Sequence, residues 1–178
     1  MNLVVSTLVS GLLLLLAGIF LILYPPRVKD LLTAFPRNKT CTLVLLVVAA
    51  SIVLYEVTQL READFGKYKN ILFGFFLALA IGAWFRVPDF LGVRALSAFG
   101  LLFAGVLLRS AFLEPPQTRL FLTAFAYVLV AGSLYLAAVP YRMRDLVSAM
   151  NRRRGLRRSL GFGAAAYGVL LCLLPLSY

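Results

Sequence analysis

Residues 119–176 read RLFLTAFAYVLVAGSLYLAAV, then PYRMRDLVSAMNRRRGLRR, then SLGFGAAAYGVLLCLLPL. Two apolar runs flank a basic insert that opens at Pro140. Each run holds about 20 residues, the length a helix needs to cross the roughly 30 Å hydrocarbon core of a bilayer. A single segment crosses lipid as a helix because every backbone N–H and C=O must be satisfied within it. The stretch therefore predicts a transmembrane helix, a basic tip and a second transmembrane helix.

The same pattern extends outward through the chain. Six apolar blocks are predicted to span, roughly at 3–24, 41–57, 70–87, 93–113, 119–139 and 156–176. All eight prolines (Pro25, Pro26, Pro36, Pro88, Pro115, Pro116, Pro140 and Pro175) fall at block ends or between blocks. Broken helices of the transporter kind are therefore not signalled. The first block has no basic residue before it and a long apolar run. It reads as a retained span and not as a cleaved signal peptide.

Composition agrees. The 178 residues are 62% apolar and 14% charged, with a mean hydropathy of +0.92. Soluble domains carry about a quarter charged residues, so a soluble globular domain, a disordered chain and a disulfide scaffold are excluded. There is no histidine, and the two cysteines are Cys41 and Cys172. The threading sends these cysteines to opposite membrane faces, beyond the roughly 7 Å that a disulfide spans. Haem held by histidine, histidine-containing zinc sites, four-thiolate iron–sulfur clusters and a histidine triad are excluded with them. No catalytic residue, metal or cofactor is expected.

The net charge of +11 comes from 18 Lys+Arg against 7 Asp+Glu. On a soluble domain it would point to nucleic acid. Here the cations gather in short loops, so no nucleic-acid partner is expected. The connections after the first, third and fifth spans carry Arg27, Lys29, Arg37, Lys39, Arg86, Arg94, Arg142, Arg144, Arg152, Arg153, Arg154, Arg157 and Arg158. The opposite face carries Arg61, Lys67, Lys69, Arg109 and Arg119. Cytoplasmic loops are the ones enriched in Lys and Arg. The three basic connections are therefore expected to be cytoplasmic, with both termini outside.

An internal echo runs through the tips. PPRVKDLLTAF at 25–35 matches PYRMRDLVSAM at 140–150 with Pro, Arg, Asp, Leu and Ala identical. A second echo aligns RALSAFGLLFAGVLL at 94–108 with RRSLGFGAAAYGVLL at 157–171. The expected fold is thus an all-α bundle of six transmembrane helices, residues 1–178 as one unit. Three hairpins, about 1–58, 70–113 and 119–177, compose it with an internal repeat. Val28, Leu31, Leu32 and Phe35 share one helical face, as do Met143, Leu146, Val147 and Met150. These predict two short amphipathic helices lying on the membrane interface. Arg27 and Arg142 precede Asp30 and Asp145 by three residues, a spacing that lets each pair meet on a helix surface.

The third hairpin resembles the YjeT-like two-helix inner-membrane proteins of bacteria. The match rests on Pro140, VSAM at 147–150, LRR at 156–158, Gly161, Gly163 and Gly168–Val169. It covers about forty residues, and the first hairpin matches more weakly. The resemblance implies a bacterial inner (cytoplasmic) membrane and a two-helix topology per hairpin. This chain would be three such units fused.

Candidate sites are few. Arg27, Arg142, Arg144, Arg152, Arg153, Arg154, Arg157 and Arg158 either capture anionic phospholipid or an acidic partner, or only anchor the tips. Arg109 and Glu56 lie just inside apolar runs. They either pair across the second and fourth spans, or snorkel separately to the interface; Arg109 alone is also a candidate for a lipid phosphate or anion. None of the seven acids falls near the centre of a span, which argues against a proton-coupled path. Small residues recur at spacing four: Gly74, Ala78 and Gly82 in the third span, Gly100 and Ala104 in the fourth, Gly161 and Ala165 in the sixth. Such faces let helices approach closely in lipid, either inside the bundle or against a partner. The expected function is a non-catalytic accessory or scaffold subunit of a larger inner-membrane complex, with protein partners or a homo-oligomer. The alternatives are a small-solute transporter or channel, and a protein that binds or handles anionic lipid.

Overall fold

A computed structural model describes residues 2–35, 38–60, 65–86, 91–115 and 117–177. For Pro26, Arg27, Leu31, Arg86, Leu176 and Ser177 it describes the backbone only. Arg37, Arg61, Glu62, Asp64 and Asp89 lie outside the described residues, as does the side chain of Arg27. The described residues form eight α-helices: α1 (Leu3–Leu23), α2 (Pro26–Ala34), α3 (Lys39–Thr58), α4 (Lys69–Arg86), α5 (Leu91–Ala111), α6 (Arg119–Ala138), α7 (Tyr141–Arg152) and α8 (Arg154–Leu173). Six of them, α1, α3, α4, α5, α6 and α8, are long and apolar enough to cross a membrane.

Helix ends follow from local chemistry. Pro25 disfavours helical backbone at the residue before it, and Tyr24 takes the left-handed conformation (φ 40°) that stops α1. Its N–H still closes on Phe20 O at 2.8 Å. Asn38 caps α3, its side-chain oxygen accepting from the N–H groups of Thr40 and Cys41. That cap starts the helix at Lys39, two residues ahead of the predicted boundary, because it satisfies N–H groups left orphaned in a first turn. Arg153 is extended and separates α7 from α8.

Helix α1 shows what solvent the fold is built for. Its buried residues include Ser6, Thr7, Ser10, Gly11 and Gly18, while Leu12, Leu13, Leu16 and Phe20 are half exposed. This inverts the pattern of a soluble helix. It suits lipid, where aliphatic side chains gain nothing by burial and small residues let backbones approach. Two of the buried hydroxyls are absorbed locally, Thr7 donating to Leu3 O and Ser10 to Ser6 O, both at 2.8 Å, whereas Ser6 Oγ has no partner among the described residues.

The packing partners differ from those the sequence suggested. The most extensive contact joins α1 to α8, followed by α5 with α6, α3 with α5, and α3 with α4. Consecutive helices that pack, α3 with α4 and α5 with α6, are joined on the side away from α2 and α7. The predicted hairpins are therefore one helix out of step with the packed pairs. A physical reason is the tips themselves. Helices α2 and α7 run about 14 and 18 Å at 1.5 Å per residue, which exceeds the 8–10 Å between packed helix axes. They hold the spans on either side apart. The two short helices occur where predicted and touch each other. The apolar cluster of Leu3, Leu107, Ala111, Leu122 and Ala126 lies where α1, α5 and α6 meet, at the end opposite α2 and α7.

Candidate functional site

The end of the bundle that carries α2 and α7 is a basic layer. Lys29, Lys39, Arg94, Arg142, Arg144, Arg152, Arg153, Arg154 and Arg158 are exposed there, and Arg157 is half-buried. A contact joins the end of α1 to the α7–α8 junction. The Tyr24 hydroxyl donates to Asn151 Oδ1, and the Arg157 guanidinium lies 4.3 Å from the Tyr24 ring centroid. Such a cation–π contact stabilises by about 0.5–2 kcal/mol, according to exposure. Asp145 meets Arg144 at 3.9 Å. The expected partner Arg142 instead turns its guanidinium over the Tyr141 ring, 5.8 Å from the centroid. Adjacent residues point apart on a helix, and that 3.9 Å contact is correspondingly long. The first turn of α8 has no side-chain cap, so its N–H groups add positive potential to the same surface. Chemically, this layer suits phosphate or carboxylate at a membrane surface, with each Lys or Arg contributing on the order of 1 kcal/mol.

At the other end, the structure brings Arg109 and Glu56 together. Arg109 Nη1 donates to both carboxylate oxygens, at 3.1 and 3.2 Å. The pair is possible because α3 and α5 run side by side in the same direction. Thr42 faces Gly92 near their starts, and Glu56 faces Arg109 near their ends. Both side chains remain open, at 72% and 42% exposure. The pair therefore marks the helix contact without forming a closed ionic site. Nearby, Arg119 Nη1 donates to the backbone oxygen of Glu114.

The small residues divide into two groups. Gly161, Ala165 and Gly168 form one side of the α1–α8 seam. A Cβ on Gly168 would stand 2.6 Å from Leu15 N, and one on Gly161 would stand 3.0 Å from Gly18 O. The other side is Gly11 and Gly18, which do not stand four apart. Their signal is a spacing of seven, the same in both helices: 11 and 18, 161 and 168. In α5, Ala104 is fully buried, and Gly100 faces the Ser133 hydroxyl. Helix α4 contrasts with all of these. None of its described residues is buried, its principal neighbour is α3, and a Cβ on Gly74 or Gly82 would meet nothing within 4 Å. Ala78, one helical turn from each, is exposed as well.

Between α3 and α4 an apolar groove of about 380 Å³ opens. Leu43, Val47, Leu54, Leu77, Ile81 and Trp84 are among its walls. Among the described residues, no three His, Cys, Asp or Glu side chains gather to hold a metal. Cys41 and Cys172 are both free thiols.

Set against known protein families, curated proteins and solved structures, the chain finds no match.

Proposed function

We propose that this chain is a non-catalytic accessory or scaffold subunit of a larger bacterial inner-membrane complex, and that α4 is the helix through which it assembles. One observation carries this reading: a span-length helix with none of its described residues buried, where a Cβ on Gly74 or Gly82 would meet nothing within 4 Å and Ala78 between them is exposed. In lipid, a glycine-bearing face gains most from a second helix that comes close enough for backbone-to-backbone dispersion. The occupant is a partner's transmembrane helix with small residues of its own. In this reading the basic α2/α7 layer is cytoplasmic, as the excess of Lys and Arg predicts, and it sets the orientation of the subunit.

The test is native mass spectrometry of the complex extracted gently from its own membrane, compared with a Gly74→Leu, Gly82→Leu double variant. A Cβ at either position meets nothing within 4 Å, so the double variant is expected to keep the fold, which circular dichroism of the purified variant checks. The expected result is a second protein at fixed stoichiometry that is lost from the variant. A monomer in both samples overturns the proposal. A doubled mass that reverts in the variant replaces the foreign partner with a second copy of this chain.

A further inference from the structure

The groove between α3 and α4 is a separate feature from the small-residue stripe of α4. At about 100° per residue, Leu77, Ala80, Ile81, Trp84 and Phe85 centre roughly a quarter-turn away from Gly74, Ala78 and Gly82. Both faces can be occupied at once.

We infer that the groove holds one acyl chain of an anionic phospholipid whose phosphate meets the basic layer. Three observations select this occupant. The first is length. The lining runs from Leu43 to Leu54 on α3 and from Leu77 to Phe85 on α4, which is about 17 and 12 Å at 1.5 Å per residue. These lengths bracket the roughly 15 Å that half of a 30 Å hydrocarbon core provides; on α3 the lining starts one turn from Lys39 and passes the midplane, stopping four residues before Thr58. On α4 the lined half is the half that ends at Arg86, at the basic layer.

The second observation is volume. At about 380 Å³, the groove sits near the lower end of small-molecule sites, about 300–1,000 Å³, and is far too small for a helix. The third is charge. Lys39 lies four residues before Leu43, hence on the same side of α3 one turn nearer the membrane surface. It is exposed and has no ion-pair partner among the described residues. An apolar slot with an unpaired cation at its mouth complements a headgroup of net negative charge, and zwitterionic phosphatidylcholine does not match it equally. One basic residue near an anionic surface contributes on the order of a fivefold preference.

The experiment uses the full chain in phosphatidylcholine vesicles. Each preparation contains a trace of lipid bearing a photoreactive diazirine midway along one acyl chain. The lipid is phosphatidylglycerol in one set and phosphatidylcholine in the other, and the labelled residues are mapped by peptide mass spectrometry. Phosphatidylglycerol is expected to label the Val47 and Leu77 region about fivefold more than phosphatidylcholine. Lys39→Gln should abolish that preference while leaving the phosphatidylcholine signal unchanged. Ala50→Phe, which fills the slot, should remove both signals there and spare labelling elsewhere. Equal labelling by the two lipids, or a preference that survives Lys39→Gln, overturns the headgroup assignment. Absence of groove labelling, or labelling that survives Ala50→Phe, overturns the site. None of these outcomes bears on the assembly role of α4, which is read from stoichiometry.

Discussion

Gly18→Ala tests the seam that holds α1 to α8. A Cβ at position 18 would fall 2.6 Å from both Ala165 N and Gly161 O. Ordinary contacts begin near 3.4 Å, and both obstacles are backbone, which cannot swing aside. The helices must part by close to 1 Å. A gap of 0.5–1 Å forfeits a quarter to a half of each dispersion contact along the seam, and overpacking of this kind costs about 1–3 kcal/mol. Alanine returns up to about 1 kcal/mol through its better helix propensity. The net loss is therefore about 1–2 kcal/mol. For a chain of this size that lowers the unfolding midpoint by roughly 2–8 °C, at about 2–4 °C per kcal/mol. The assay is a thermal scan in mild detergent with a thiol-reactive dye in a Cys41→Ala background. The remaining Cys172 lies in the seam, its Sγ 2.7 Å from where a Cβ on Gly11 would stand, so it reports opening of that contact. Gly74→Ala is the matched control, with open space around it, and should leave the midpoint unchanged or raise it. If Gly18→Ala behaves like Gly74→Ala, the close approach of the two backbones is wrong.

Asn38→Ala should destabilise the chain by about 1 kcal/mol through loss of the α3 cap, seen as a midpoint a few degrees lower and faster hydrogen exchange at Thr40 and Cys41. A double-mutant cycle of Arg109→Gln and Glu56→Gln should return a coupling below about 1 kcal/mol, because both groups are open to their surroundings. A larger coupling would mean that the pair is shielded in the assembled protein. Tyr24→Phe should speed exchange at the α7–α8 junction slightly by losing the hydrogen bond to Asn151. Tyr24→Ala, which also removes the ring under Arg157, should speed it more. Equal effects would assign the contact to the hydroxyl alone.

The six spans were legible because lipid imposes a long apolar run on each, and that signal survives in one dimension. The tips were legible because Pro25 and Pro140 punctuate the chain and the apolar periodicity behind each resumes at helical spacing. The partners of the spans were not legible, because every span is apolar all round and hydropathy cannot say which face meets which. The proximity of Arg109 to Glu56 followed only once α3 and α5 were seen side by side. Gly11 and Gly18 sit in a Leu-rich run and are seven residues apart, so glycines at spacing four do not mark them. Their correspondence with Gly161 and Gly168 shows only when two distant helices are compared at spacing seven. The exposure of α4 leaves no clear trace in its sequence, whose hydropathy falls within the range of the other spans and which carries small residues as they do.

The α1–α8 seam also sets an order of events during synthesis. Gly18 and its neighbour Ala165 are separated by about 150 residues. At 5–20 residues per second, α1 waits roughly 7–30 s between its own emergence and that of its main partner. Throughout that interval the Gly11 and Gly18 face of α1 lacks the helix that later covers it. Whatever inserts this chain must therefore shelter α1, or let it rest against α5 and α6, until α8 arrives to complete the bundle.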